Sequence, residues 1–128
     1  MIVGLKGILA EKRPDFAVID VNGVFYGLSI PLSTFERLPQ EGEEVRLHTL
    51  LVHKEDRMDL FGFKDRDDLE LFRILLGVNG IGPKLALTVL SRLAPEELES
   101  AVAAQDVSRF KGISGIGAKT AEKIVFEL

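Results

Sequence analysis

The sequence contains no cysteine. A disulfide framework and a thiolate metal site are therefore excluded, and a reducing compartment is natural. The two histidines, His48 and His53, fall in a strand-like segment and the turn after it, a spacing that fits no metal motif. No apolar run approaches the roughly 20 residues that span a bilayer. Met1 to Lys12 is mixed in charge and lacks the layout of a secretory signal. A cytoplasmic protein without membrane association is expected. A net positive balance is also lacking: 16 lysines and arginines stand against 20 acids, for a net charge of −4, whereas nucleic-acid binders are usually basic.

What is present allows one domain or two very small ones in 128 residues, with 46% hydrophobic content sufficient for a core. The charges are segregated. Leu71 to Pro95 holds three bases (Arg73, Lys84, Arg92) and no acid, and Val107 to Ala121 holds three more (Arg109, Lys111, Lys119) and no acid. Glu96, Glu97, Glu99 and Asp106 lie between them. An acidic protein can thus carry a basic face.

The hydrophobic period changes near the middle. Val24, Tyr26, Leu28 and Ile30 alternate, as do Val45, Leu47, Thr49 and Leu51, the two-residue period of half-buried strands. Asn22-Gly23 is a favoured type I′ hairpin pair. Arg13-Pro14-Asp15 marks another turn. Pro31 to Leu38 reads as a helical turn closed by Pro39 and Gly42, and Asp59 to Phe63 as a last short strand. Five or six strands in about sixty residues predict a small closed barrel, OB-like by size, with an SH3-like barrel as the alternative. From Lys64 the period is helical. Leu69, Phe72, Leu75 and Leu76 form one stripe behind acidic Asp65 to Asp68, and Leu85, Ala86, Val89, Leu90 and Leu93 form a second. Pro95 opens a third helix, with Leu98, Ala101 and Val102 on its apolar face. A short helix over Val107 to Lys111 and a last one from Lys119 to Leu128 follow. The reading is α+β in two domains: a barrel over 1–63 and an all-α domain over 64–128.

The helical half repeats itself. Gly77-Val-Asn-Gly-Ile-Gly-Pro-Lys-Leu-Ala86 aligns with Gly112-Ile-Ser-Gly-Ile-Gly-Ala-Lys-Thr-Ala121 at a constant offset (115 − 80 = 35; 119 − 84 = 35). Paired glycines permit unusual backbone angles and leave no side chain against a ligand. The isoleucine between them pins the turn to the core. The turn runs into a helix N-terminus, whose unpartnered N–H groups and dipole favour an anion. Lys84 and Lys119 add charge. Phosphate, read without regard to base identity, is the expected ligand. The P-loop likeness of Gly115-Ile-Gly-Ala-Lys-Thr120 fails, because that motif needs glycine directly before the lysine and a preceding strand. A tight helix–helix turn with no ligand is the bland alternative.

These residues match the helix-hairpin-helix motif, a DNA-binding element indifferent to sequence. Met1-Ile2, Gly23-Val24 with Tyr26, Leu60-Phe61-Gly62-Phe63, Leu71-Phe72, Gly80-Ile-Gly-Pro-Lys-Leu-Ala-Leu87 and Gly115-Ile-Gly-Ala-Lys-Thr-Ala-Glu122 together resemble the RuvA family of bacterial Holliday-junction-binding proteins, over the whole chain. The resemblance implies an N-terminal OB-fold, which also mediates tetramerisation, and a tandem helix-hairpin-helix domain. It implies backbone contacts from Asn79, Gly80, Gly82 and Lys84 in the first hairpin. In the second it implies contacts from Ser114, Gly115, Gly117, Lys119, Thr120 and Lys123.

The family's acidic pin maps onto Glu55 and Asp56, which read alone form a charged loop tip. Partners implied are four-way junction DNA, a homotetramer or a double tetramer, the RuvB ATPase and the RuvC resolvase, in recombination, DNA repair and the SOS response. No catalytic residue, metal or cofactor is expected, since ATP and magnesium belong to the partner motor. Two departures appear. Ala118 stands where some members carry a second base, which implies a weaker second hairpin. The family's C-terminal RuvB-contacting domain is expected to be absent. Two rival readings stay open: an enzyme using the hairpins as a DNA handle, its pin acids holding a divalent ion, and a protein-interaction module.

Overall fold

A computed structural model describes residues 1–128 as two compact units, Met1–Leu69 and Glu70–Leu128. The first unit is a closed five-stranded barrel of the OB type. Its strands are β1 (Gly4–Arg13), β2 (Phe16–Val21), β3 (Val24–Ser29), β4 (Glu44–Lys54) and β5 (Arg57–Phe63), in the order β1-β2-β3-β5-β4. Neighbours are antiparallel except β3 and β5, which meet in parallel at Ser29 and Phe61. Pairing of β1 with β4, from Gly4 opposite His48 to Ile8 opposite Glu44, closes the barrel and leaves no free edge.

The alternating residues explain the interior. Leu28, Ile30, Val45, Leu47 and Thr49 are buried, as their period requires, and Leu5, Leu9, Ala17 and Ile19 complete the core from β1 and β2. A bulge between Leu9 and Glu11 shifts the β1–β2 register and bends the long first strand, as closure of so small a barrel demands. Asn22 and Gly23 both take positive φ (51° and 93°), the pair of angles a type I′ turn needs.

Pro31 precedes a single helical turn, α1 (Leu32–Phe35). The buried Thr34 accepts a hydrogen bond through Oγ1 from the Lys64 amide at 3.1 Å, and Arg37 pairs with Asp65. These two contacts fix the segment after β5 within the first unit.

The helices are α2 (Arg66–Leu76), α3 (Pro83–Arg92), α4 (Pro95–Ala103) and α5 (Ala118–Glu127), with a short 3-10 helix at Val107–Phe110 before α5. Pro83 and Pro95 each occupy the first turn, where a missing N–H costs nothing. The Glu97 carboxylate accepts the Ala94 amide at 3.1 Å, closing the start of α4. The second unit buries Phe72, Leu75, Val89, Leu98, Phe110 and Ile124. No helix is long and apolar enough to cross a membrane.

Two expectations shift in detail. The last strand begins at Arg57 rather than Asp59, because β4 and β5 stay paired out to Lys54 and Arg57. The helix before the second hairpin is only four residues of 3-10 helix, so the two repeat units are unequal at their start.

Candidate nucleic-acid interface

The two glycine turns have the same geometry. The Ile81 amide donates to the Val78 carbonyl and the Ile116 amide to the Ile113 carbonyl, each at 3.1 Å. Gly80 and Gly115, third in these four-residue turns, have φ of +92° and +90°. Positive φ at that position alone is the mark of a type II turn, which requires glycine there. Asn79 and Ser114 occupy the preceding position, exposed on each turn.

The second glycine of each pair behaves differently. Gly82 (φ −93°, ψ 179°) and Gly117 (φ −89°, ψ −179°) are extended and serve as N-caps of α3 and α5. Any residue can adopt those angles. Gly82 therefore owes its identity to neither backbone nor packing: an added Cβ would meet no atom within 4 Å, and the same holds for Gly117. The expectation that both glycines of a pair need special angles holds only for the first. The second leaves space, and that space faces outward.

Helical bonding begins when Ala86 donates to the Gly82 carbonyl and Ala121 to the Gly117 carbonyl, each at 3.0 Å. No side chain caps either helix. The first-turn amides of Lys84 and Leu85, and those of Ala118, Lys119 and Thr120, thus keep their donors for a ligand. Ala118 supplies an N–H where Pro83 has none, so the second hairpin gains a donor at the position where it lacks a base. Lys84 and Lys119 are exposed, and Thr120 and Lys123 are half-buried on α5. Lys119 and Lys123 are four residues apart and share a helix face. A Cβ on Gly115 would lie 3.1 Å from Leu85 Cδ1, so the second turn adjoins the helix that the first turn opens. The repeat is imperfect at Gly77 and Gly112, since only Gly112 takes positive φ (+81°).

The isoleucines are unequal plugs: Ile81 is buried and Ile116 only partly so. The six bases of the segregated stretches are all exposed, but Arg109 is held by Glu97 at 3.0 Å. That pair ties the 3-10 helix to α4 and removes one cation from the tally.

In the barrel unit, Glu55 and Asp56 form the two-residue tip between β4 and β5, where Lys54 faces Arg57. Both acids are exposed, and neither takes positive φ. Arg57 pairs with both carboxylate oxygens of Asp59, through Nε at 2.8 Å and a terminal nitrogen at 3.4 Å. Sequence reading passed over this pair, although residues two apart on a strand share a face and could have signalled it. No group of three or more acidic, histidine or cysteine side chains is placed to hold a metal ion.

A closed OB-type barrel followed by twin glycine turns, each feeding an uncapped helix, defines a tandem helix-hairpin-helix protein with an OB-fold module. The comparisons agree in detail. The model of the RuvA N terminal domain matches residues 1–62, and that of the SAM-like helix-hairpin-helix tandem matches residues 72–128. The chain is 52% identical over all 128 residues to the Holliday junction branch migration complex subunit RuvA of Pseudomonas savastanoi pv. phaseolicola, covering 63% of that protein. It is 50% identical to the same-named subunits of Pseudomonas putida and Pseudomonas aeruginosa, covering 62% and 64% of them. The chain belongs to the RuvA family and spans somewhat under two thirds of the length of these curated relatives.

Proposed function

We propose that this chain binds DNA by its backbone and, as several copies around an axis, holds a four-way Holliday junction open as a scaffold for branch migration. The observation that carries the reading is the shared turn and N-cap geometry of the two hairpins. Each presents an N-cap glycine with open space above it and first-turn amides without partners, followed by a lysine. Two such turns side by side suit two phosphates of a backbone, and phosphate contacts position a protein without reading sequence. The relatives' name supplies the junction, which two hairpins alone do not specify.

Preference for a junction is assigned to Glu55 and Asp56. A carboxylate about 8 Å from a phosphate in water costs only about 0.5 kcal/mol. Pins from four subunits of a tetramer, or eight of a double tetramer, would add such terms where strands cross without preventing binding. The subunit does no chemistry itself in this reading. ATP and magnesium serve a RuvB-type motor that drives migration, RuvC resolves the junction, and the setting is cytoplasmic recombination and repair.

The test is the Glu55→Gln/Asp56→Asn double variant, titrated against a four-way junction and a linear duplex of the same sequence. Duplex affinity should rise several-fold while junction affinity changes little. An unchanged ratio between the two DNAs would remove the pin from the account.

A further inference from the structure

Counted formally, Lys54, Glu55, Asp56 and Arg57 sum to zero charge, two bases against two acids. A neutral tip would repel phosphate weakly. The structure resolves this through Asp59. The Arg57 guanidinium lies side-on to the Asp59 carboxylate, engaging both oxygens at 2.8 and 3.4 Å. The short Nε contact, with the longer second one beside it, fixes the direction of the guanidinium as well as its distance. Asp59 stands two residues farther from the tip along β5, about 7 Å at the strand rise, so the pair draws the guanidinium toward the barrel. The Asp59 side chain is 35% exposed and that of Arg57 62%, so the pair is anchored on its acidic side.

We infer that Asp59 is a specificity-determining residue of the pin. By holding Arg57 in a two-oxygen pair, it keeps that cation from neutralising Glu55 and Asp56 and from reaching a phosphate. With Arg57 engaged, the tip presents two carboxylates against Lys54 alone and stays anionic. If Asp59 loses its charge, the guanidinium is released to swing over the tip acids or onto the DNA. Either movement weakens repulsion of a continuous duplex. The inference rests on the junction-binding reading above and gives Asp59 a positioning role within it, acting through Arg57.

The experiment measures the ratio of junction to duplex affinity for the whole chain at fixed salt, with thermal melting to confirm folding. Asp59→Asn should raise duplex affinity roughly two- to threefold for each pin facing the DNA, from one unit charge about 8 Å from a phosphate. Asp59→Glu, which keeps a carboxylate, should retain the wild-type ratio. Arg57→Gln/Asp59→Asn should restore it, since no cation is left to release. Glu36→Gln makes the same change in net charge at an exposed position just after α1, outside the β4–β5 hairpin, and should shift the ratio less than Asp59→Asn does.

A wild-type ratio in Asp59→Asn overturns the inference, as does an equal shift in Glu36→Gln, which would reduce the effect to net charge. If the wild-type chain itself fails to prefer the junction, the underlying reading fails and the inference falls with it. A wild type that prefers the junction, with an Asp59→Asn ratio equal to it, overturns the role of Asp59 alone.

Discussion

Replacing Gly82 and Gly117 together with alanine should separate binding from stability. Both residues sit in extended backbone, at φ −93° and −89°, and a methyl group at either would touch nothing within 4 Å. Alanine there restricts the unfolded chain without straining the folded one, a gain of about 0.4–1 kcal/mol per site. Alanine is also a poorer N-cap than glycine, by an amount of the same order, so the two effects offset; with each kcal/mol moving Tm by roughly 4–8 °C for a domain of this size, the variant should melt within a few degrees of wild type. Binding should fall. A phosphate held by the first-turn amides must approach to hydrogen-bond distance, about 2.9 Å from nitrogen, and the new methyl group stands in that approach. Losing a hydrogen bond to a charged group costs about 1.5–3 kcal/mol, or roughly ten- to hundredfold in affinity for each hairpin. The assay is fluorescence anisotropy on labelled junction and duplex, beside a melting curve. Wild-type affinity in a fully folded variant would refute the reasoning, because the open space above these glycines would then have no ligand to receive.

Further outcomes follow from neighbouring residues. Gly80→Ala and Gly115→Ala force an L-residue to φ near +90°, so each should lower unfolding stability by about 1–2 kcal/mol in urea titration; Gly115→Ala should cost more, since its Cβ also crowds Leu85. Lys84→Gln and Lys119→Gln should weaken junction and duplex alike and each reduce the slope of log affinity against log salt by about 0.9; an unchanged slope would place those lysines off the phosphates. Glu97→Ala removes both the cap on the Ala94 amide and the partner of Arg109. It should lower the unfolding free energy measured by denaturant titration by about 1 kcal/mol, and no loss would show that the 3-10 helix needs no tether.

Much of this was legible in the sequence, for reasons specific to particular residues. Leu28, Ile30, Val45 and Leu47 fell on one side of a two-residue period because one face of each strand is buried. Asn22-Gly23 declared its turn because few other pairs accept two positive φ angles. The hairpins showed themselves through a repeat whose copies share turn type as well as spelling.

Other features were hidden because they depend on distant partners or backbone angles. The bulge in β1 is a property of its pairing with β2, and the extension of β5 to Arg57 depends on β4. Sequence could not tell that Gly80 and Gly115 are constrained by conformation while Gly82 and Gly117 are spared by space, since both read simply as glycine. The charge tally counted Arg109 as available, and only side-chain geometry shows it held by Glu97; the hold of Asp59 on Arg57 is likewise visible only in that geometry.

The most direct test of the account is a competition titration of the chain against a four-way junction and a linear duplex of matched sequence across a salt series, with the mass of the assembly measured in parallel. The account predicts a tetramer or double tetramer that prefers the junction at every salt concentration, with affinity falling steeply as salt rises. Equal affinity for the two DNAs, or binding insensitive to salt, would contradict it.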